Sequence, residues 1–149
     1  MKERQDHSFI GKKTSDLETL LSKADSLADF LEKGEDSFVD ADFISLLGAV
    51  FEKKKLTKAT LAKRSGMSEV YVHQLFGGRR TPSRDRLLCL CIGMGASLQE
   101  TQELLRRNKD AMLYARSRRD AVIEYGILHR MDLYQVNDML FKNGEKTLI

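Results

Sequence analysis

Apolar residues recur at alternating spacings of three and four along the N-terminal arm, which is the period of an amphipathic α-helix. Ser15 and Glu18 form a capping box, and an apolar series follows: Leu17, Leu20, Leu21, Ala24, Leu27, Ala28 and Leu31. The arm is therefore predicted to be one helix that closes at Gly34. Its two heptads are too few to indicate a coiled coil, so it either packs on its own chain or forms a dimer.

A second helix is predicted from about Asp42 to Lys55, with the apolar face Phe43, Leu46, Leu47, Val50 and Phe51. Four shorter segments with clear start and stop signals follow. Thr57 caps a helix over 58–65 that ends before Gly66, and Ser68 caps a helix over 69–76 that ends before Gly77-Gly78. Ser83 caps an apolar helix that stops at 93–95. Ser97 with Glu100 forms a capping box that opens a helix to about Asn108. Because the helix after Ser83 is apolar all round, we expect it to be buried on every side.

The last part of the chain predicts a helical pair. One helix runs from Ser117 to about His129, and the other runs from the capping pair Asp132 and Gln135 to about Phe141. The apolar positions predicted to pack onto the core or onto another chain are Ala121, Val122, Tyr125, Leu128, Leu133, Val136 and Leu140.

Composition supports an all-α fold. The 149 residues are 42% hydrophobic and include a single proline, Pro82, so the chain can bury a core without staples. Cys89 and Cys91 lie in an apolar run without metal-ligand spacing, which favours core packing over redox sensing and suits a reducing cytoplasm. No stretch approaches the roughly 20 apolar residues of a membrane-spanning helix, so neither secretion nor a membrane partner is expected.

Charge is distributed unevenly. The net charge is only +3, but the segment from Lys53 to Arg86 holds ten basic residues against Glu69 and Asp85. We expect a polyanion to dock there.

The same segment has the spacing of a helix-turn-helix. Two helices that cross through a short turn need a small residue at the crossing, a residue that tolerates positive φ in the turn, and apolar anchors on the second helix. Ala62 and Gly66 meet the first two needs, and Val72 with Leu75 meets the third.

On these residues, together with the loop GGRRTPS and the helix entry GASLQE, the chain resembles the lambda-repressor-like (phage repressor and Cro, XRE) helix-turn-helix family over residues 42 to about 108. The resemblance implies an all-α, five-helix DNA-binding domain. We therefore divide the chain into an N-terminal helix and linker (1–40), the helix-turn-helix domain (41–110) and the C-terminal helical extension (111–149).

The resemblance also implies that residues 69–76 form a recognition helix in the major groove. Helical geometry turns Val72, Leu75 and Phe76 inward. The outward residues would read bases: Glu69 accepting from cytosine, Val70 touching a thymine methyl, His73 donating to guanine or phosphate, and Gln74 pairing with adenine. Those implied to contact phosphate are Lys58, Ser68, Tyr71 at the side of the helix, Arg79 and Arg80.

Two residues depart from the family pattern. Lys58 stands where the family commonly has a glutamine, which keeps the phosphate role but loses the directional bonding of the amide. Glu69 is an acidic residue that faces the groove, so phosphate repels it. It is tolerated there only with a specific base as its partner or at a position outside the contact zone.

The sequence therefore predicts a cytoplasmic, sequence-specific transcriptional regulator that binds double-stranded DNA as a homodimer. The alternative is a protein-protein interaction adaptor with the same fold, which Glu69 and the acidic arm favour. We predict no enzyme activity, cofactor or metal site, because no phosphate loop, paired catalytic carboxylates or activated nucleophile is present as a motif.

Overall fold

A computed structural model describes residues 39–149, together with residues 18, 19, 22 and 27. The chain divides after Asp42, and the unit Phe43–Ile149 carries the core described below. The four isolated residues are helical. The rest of the predicted N-terminal helix, with its capping residue Ser15, lies outside the described residues.

Residues 39–149 form seven helices and contain no strand. The helices are α1 Val39–Lys54, α2 Lys58–Ser65, α3 Glu69–Phe76, α4 Arg84–Met94, α5 Leu98–Arg107, α6 Arg118–Leu128 and α7 Leu133–Lys142. The predicted all-α class is confirmed. α1 begins three residues earlier than predicted, so Asp42 lies inside the helix and not at its start. It ends at Lys54, and Lys55 leaves it in the left-handed region at φ 55°.

Helix α4 occupies the centre of the unit. Every residue from Leu87 to Met94 is buried, as its uniformly apolar sequence predicts. The helix contacts α2, α5 and α7. Because α2 also contacts α3, it connects α3 to the buried helix α4.

From α2 onward, the predicted helix starts are confirmed in detail. The hydroxyl groups of Thr57, Ser68 and Ser83 each accept a hydrogen bond from a backbone N–H in the first turn of the helix that follows. Complete capping boxes open α5, at Ser97, and α7, at Asp132. Such caps satisfy N–H groups that lack partners at a helix start, and each stabilises a helix by about 1 kcal/mol.

A polar cluster ties the C-terminal helical pair to the helix-turn-helix part. Arg84 donates to both carboxylate oxygens of Asp120, at 3.3 and 2.9 Å, and to the carbonyls of Ala111 and Met112. Asp120 is buried and also accepts from the backbone N–H of Tyr114. The positive charge of Arg84 is therefore paired with the buried carboxylate of Asp120.

A second cluster holds the C-terminal tail against α4. Arg119 donates two 3.1 Å hydrogen bonds to Asp85 and others to the carbonyls of Lys146 and Thr147. The backbone N–H of Leu148 donates to the side-chain oxygen of Asn137 at 2.7 Å. The buried Leu148 therefore lies over the core.

The predicted apolar face of the helical pair is only partly right. Leu133, Val136 and Leu140 on α7 are buried, but on α6 the buried apolar residues are Ile123 and Ile127. Tyr125 and Leu128 are 48% and 63% exposed and do not pack into the core. The sequence pattern failed here because Gly126 lets α7 approach closely: a Cβ at that position would overlap Val136. This approach turns the opposite face of α6 to solvent.

The two cysteines are core residues, the favoured of the two predicted roles. Burial, the largest cause for each, raises the pKa of both thiols to about 12, so they stay protonated at neutral pH. None of the described helices is long and apolar enough to cross a membrane. Within the described residues no group of His, Cys, Asp and Glu could hold a metal ion.

Candidate nucleic-acid interface

The turn between α2 and α3 has the geometry that its sequence predicts. Gly66 adopts φ 66° and ψ 32°, a left-handed conformation that glycine adopts without a Cβ penalty. The backbone N–H of Met67 then donates to the carbonyl of Ala62, which is buried at the helix crossing. Val72 and Leu75 are fully buried and anchor α3. The outward face of α3 is therefore held in a fixed orientation.

The outward side of α3 presents a small mixed surface. Glu69, Val70 and His73 are exposed, and Gln74 is half-buried. Val70 is 67% exposed although it is aliphatic and belongs to a helix with a buried face. Such a residue is suited to contact another apolar group, and a thymine methyl is one such group in the major groove.

Glu69 and His73 lie one helical turn apart, and Glu69 Oε2 is 3.5 Å from His73 Nε2. Both side chains are more than half exposed. A protonated His73 would offset the charge of Glu69 locally, which reduces the repulsion that the acid experiences near phosphate. Glu69 therefore has an imidazole side chain within reach on the next turn of α3.

Tyr71 is surrounded by two arginines from different elements. The guanidinium carbon of Arg80, in the loop after α3, lies 5.5 Å from the centre of the ring. The corresponding atom of Arg86, in the first turn of α4, lies 4.6 Å from it. These are cation–π contacts, which the aromatic ring makes with its electron-rich face. Tyr71 therefore positions two cations beside α3.

Lys58 is placed at the other end of α3. Its ammonium nitrogen lies 5.4 Å from the centre of the Phe76 ring, and that ring packs on Phe51 at 4.9 Å between centroids. Lys58 also occupies the first position of α2, directly after the Thr57 cap. The aromatic pair therefore sets the position of this cation relative to α3.

The remaining predicted residues lie around the same helix. The Ser68 hydroxyl accepts from the backbone N–H of Tyr71 at 3.1 Å, and its own proton stays available for a phosphate oxygen. Arg79 is exposed, and its backbone N–H donates to the carbonyl of Gln74 at 2.9 Å. All nine predicted site residues therefore lie on α3, at its cap, in the loop that follows, or at the start of α2.

The basic segment from Lys53 to Arg86 is not one uniform docking surface. Lys53 and Lys54 both bind Glu100, at 2.7 and 3.0 Å, and Arg84 binds Asp120. Partial burial opposes ionisation of Glu100, but hydrogen bonds from Lys53, the Ser97 N–H and Lys54 outweigh it and lower its pKa to about 2. These three cations are paired within the protein, so the expectation that a polyanion docks on this segment depends on its other basic residues.

Sequence reasoning missed Arg86 as a site residue. It lies three residues after the Ser83 cap, on a helix whose following residues are all buried. A charged residue in the first turn of such a helix must point outward, and that is the signal that could have identified it.

The described structure is an all-α helix-turn-helix bundle, in which α3 and the loop after it carry the exposed basic and apolar groups. Residues 43–104 match a family model described as a helix-turn-helix domain, over less than half of the chain. No curated protein and no solved structure matches the chain. Helix-turn-helix domains are a general DNA-binding class, which indicates a DNA-binding regulator in general terms. Domains of this kind are typically non-enzymatic.

Proposed function

We propose that this protein is a sequence-specific, cytoplasmic transcriptional regulator of the XRE type that reads the major groove of duplex DNA with α3. One observation carries the proposal: Arg80 and Arg86, from separate elements, converge on the Tyr71 ring at the side of α3. Phosphates line both edges of the major groove, so a helix that enters the groove needs cations at its sides. Arginines held beside the exposed face of α3 meet this need.

In this proposal the roles divide by residue type. Lys58, Ser68, Arg79, Arg80 and Arg86 contact phosphates, and Tyr71 orders two of these arginines. The outward residues of α3 read base edges: Glu69, Val70, His73 and Gln74. An amide can make two hydrogen bonds with an adenine edge, so Gln74 is expected to contribute most of the specificity at one base pair.

We propose that the regulator binds as a homodimer that spans two half-sites about one helical turn apart. The C-terminal pair supports this part of the proposal, because Tyr134 and Phe141 on α7 are 80% and 76% exposed. They lie seven residues apart and so share one helical face. Apolar side chains exposed on one face are typical of interaction surfaces.

The test is fluorescence anisotropy with duplexes selected from a random pool. We expect Arg80→Gln to weaken binding to every duplex by a similar factor. Gln74→Ala should change preference at a single base pair, by about 1–3 kcal/mol. Arg116→Gln is the matched control, because Arg116 is an exposed arginine in the loop before α6.

The alternative function is the protein-interaction adaptor, which the exposed Val70 beside Glu69 favours. An apolar residue next to an acid suits a protein partner better than a phosphate backbone. Absence of binding to any duplex at low salt would contradict DNA recognition and favour the adaptor. Equal effects of Arg80→Gln and Gln74→Ala on all duplexes would contradict base reading by α3.

A further inference from the structure

A cleft of about 970 Å³ lies on the molecule between the end of α2 and the connection from α6 to α7. Its volume is at the upper end of the range typical of small-molecule sites, about 300–1,000 Å³. Its walls come from the end of α2 and its turn, the connection from α4 to α5, and the residues around the α6–α7 turn. None of the nine predicted DNA-contacting residues lines it.

The larger part of the lining surface is apolar. Ile92, Ala96 and Ile127 are buried at its base, and Met131 is half-buried beside them. Leu128 also lines the cleft, although 63% of its surface is exposed. Leu128, which does not pack into the core, is therefore part of a concave apolar wall. An apolar ligand in the cleft would cover it.

Three cations stand on the same lining: Lys63 and Arg64 from the last turn of α2, and Arg130 from the α6–α7 turn. All three are exposed. Over residues 39–149 the ion pairs involve other cations, such as Arg84 and Arg119, and none of these three. The carboxylate on the lining, Asp132, accepts from the backbone N–H of Gln135 as a helix cap. The side chains that line the cleft therefore carry an excess of positive charge.

Arg130 is in addition held in a strained conformation, with φ 54°. Residues other than glycine pay about 1 kcal/mol or more for this left-handed region. Glycine or asparagine commonly takes such a position after a helix. Lys55 after α1 and Lys109 after α5 adopt the same conformation outside this cleft, so in this protein the conformation marks the end of a helix.

We propose that this cleft binds a small molecule that joins an aliphatic chain to a carboxylate. The chain lies on the aliphatic wall that includes Leu128, and the carboxylate binds between Arg64 and Arg130. Arginine suits this task because its planar guanidinium can donate two parallel hydrogen bonds to a carboxylate. Because Arg64 belongs to the helix-turn-helix, an effect of the ligand on DNA recognition rests on the proposed function, whereas ligand binding does not.

The test is isothermal titration calorimetry of the full chain with decanoate, in the absence of DNA. Decyltrimethylammonium, which has a similar chain and the opposite charge, is titrated in parallel. We expect saturable binding of decanoate at one site and none of the cation. Arg64→Gln combined with Arg130→Gln should weaken decanoate binding about tenfold or more, because charged hydrogen bonds are lost. The double variant Arg116→Gln and Arg118→Gln removes two exposed arginines that do not line this cleft and is the charge-matched control.

A second variant tests the apolar wall without altering charge. Leu128→Ser should weaken decanoate binding, whereas Met112→Ser, at an exposed position outside the cleft, should not. Both positions are exposed, so both variants should fold, and circular dichroism checks this. Absence of saturable heat with decanoate, equal binding of decyltrimethylammonium, or an unchanged affinity in the Arg64 and Arg130 double variant would each overturn the proposal.

Discussion

Replacing Tyr71 with leucine removes the ring that faces two guanidinium groups while it keeps an apolar side chain at a half-buried position. In the native protein Arg80 and Arg86 lie 5.5 and 4.6 Å from the ring centre. The ring therefore restricts both arginines before DNA arrives. In the Tyr71→Leu variant the two side chains would have to be ordered during binding instead.

The expected size of the effect follows from that ordering. Immobilising one long side chain at an interface costs about 0.5–1.5 kcal/mol. Two arginines give a total of about 1–3 kcal/mol, which corresponds to a dissociation constant about 5- to 150-fold higher. The number of positive charges does not change, so the number of counterions released from DNA should not change either.

Fluorescence anisotropy between about 50 and 200 mM salt separates these two effects. For Tyr71→Leu we expect a parallel shift, with weaker binding at every salt concentration and the same slope of log K against log salt. For Arg80→Gln we expect the slope to become shallower by about 0.9, since one phosphate contact is lost. Tyr114→Leu, at an exposed tyrosine in the loop between α5 and α6, is the control and should change neither quantity.

Two outcomes would refute this reasoning. If Tyr71→Leu reduces the slope as much as Arg80→Gln does, the ring takes part in the charge contact itself. If Tyr71→Leu leaves affinity unchanged, the two arginines do not need the ring for their position.

Two further predictions concern stability. The pKa of Glu100 is lowered to about 2 from 4.5, so its ion pairs stabilise the fold above pH 4.5 and are lost as the pH falls toward 2. Glu100→Gln keeps the capping box and should cost about 1–2 kcal/mol at neutral pH, after allowance for solvent screening. Urea unfolding should show this difference shrinking at pH 3; a constant difference would contradict the electrostatic origin. The second prediction concerns the crossing of α2 and α4, where a Cβ at Gly93 would overlap the Ser65 hydroxyl. Gly93→Ala should cost about 1–3 kcal/mol. Ser65→Ala should be neutral or stabilising, because the buried hydroxyl has no hydrogen-bond partner in the described residues. The same denaturation assay measures both variants, and a large loss in Ser65→Ala would show that the hydroxyl has a partner.

Much of the fold was predictable because the signals that start and stop its helices are local in sequence. A Ser, Thr or Asp before an apolar series and a glycine after it mark helix ends through short-range hydrogen bonds, and those signals lie in the printed sequence. Burial of α4 was predictable for a similar reason, since a helix that is apolar on every side has no polar face for solvent. The predicted start of α1 was wrong because aspartate is a common helix-capping residue, yet the helix includes both Asp40 and Asp42.

The sequence predicted which residues belong to the candidate site, but not which side chains contact one another there. Helical geometry identified the outward residues of α3, but the pairing of Tyr71 with Arg86 joins positions fifteen residues apart. The exposure of Tyr125 and Leu128 depends on the close approach of α7 at Gly126, which is a tertiary contact. The aliphatic cleft likewise combines elements that are distant in sequence. Periodicity within one helix carries none of this information.

The enclosure of α4 has a consequence for how the protein folds. Its faces are covered by α2 and α5 from the matched region and by α7 from outside it. Arg119 and Leu148 bring the last residues onto the same helix. Residues 43–104 alone would leave apolar surface of α4 in water, so we expect this segment not to fold independently. Folding should instead be cooperative over the whole unit, and the amides of α4 should exchange with solvent only through global unfolding.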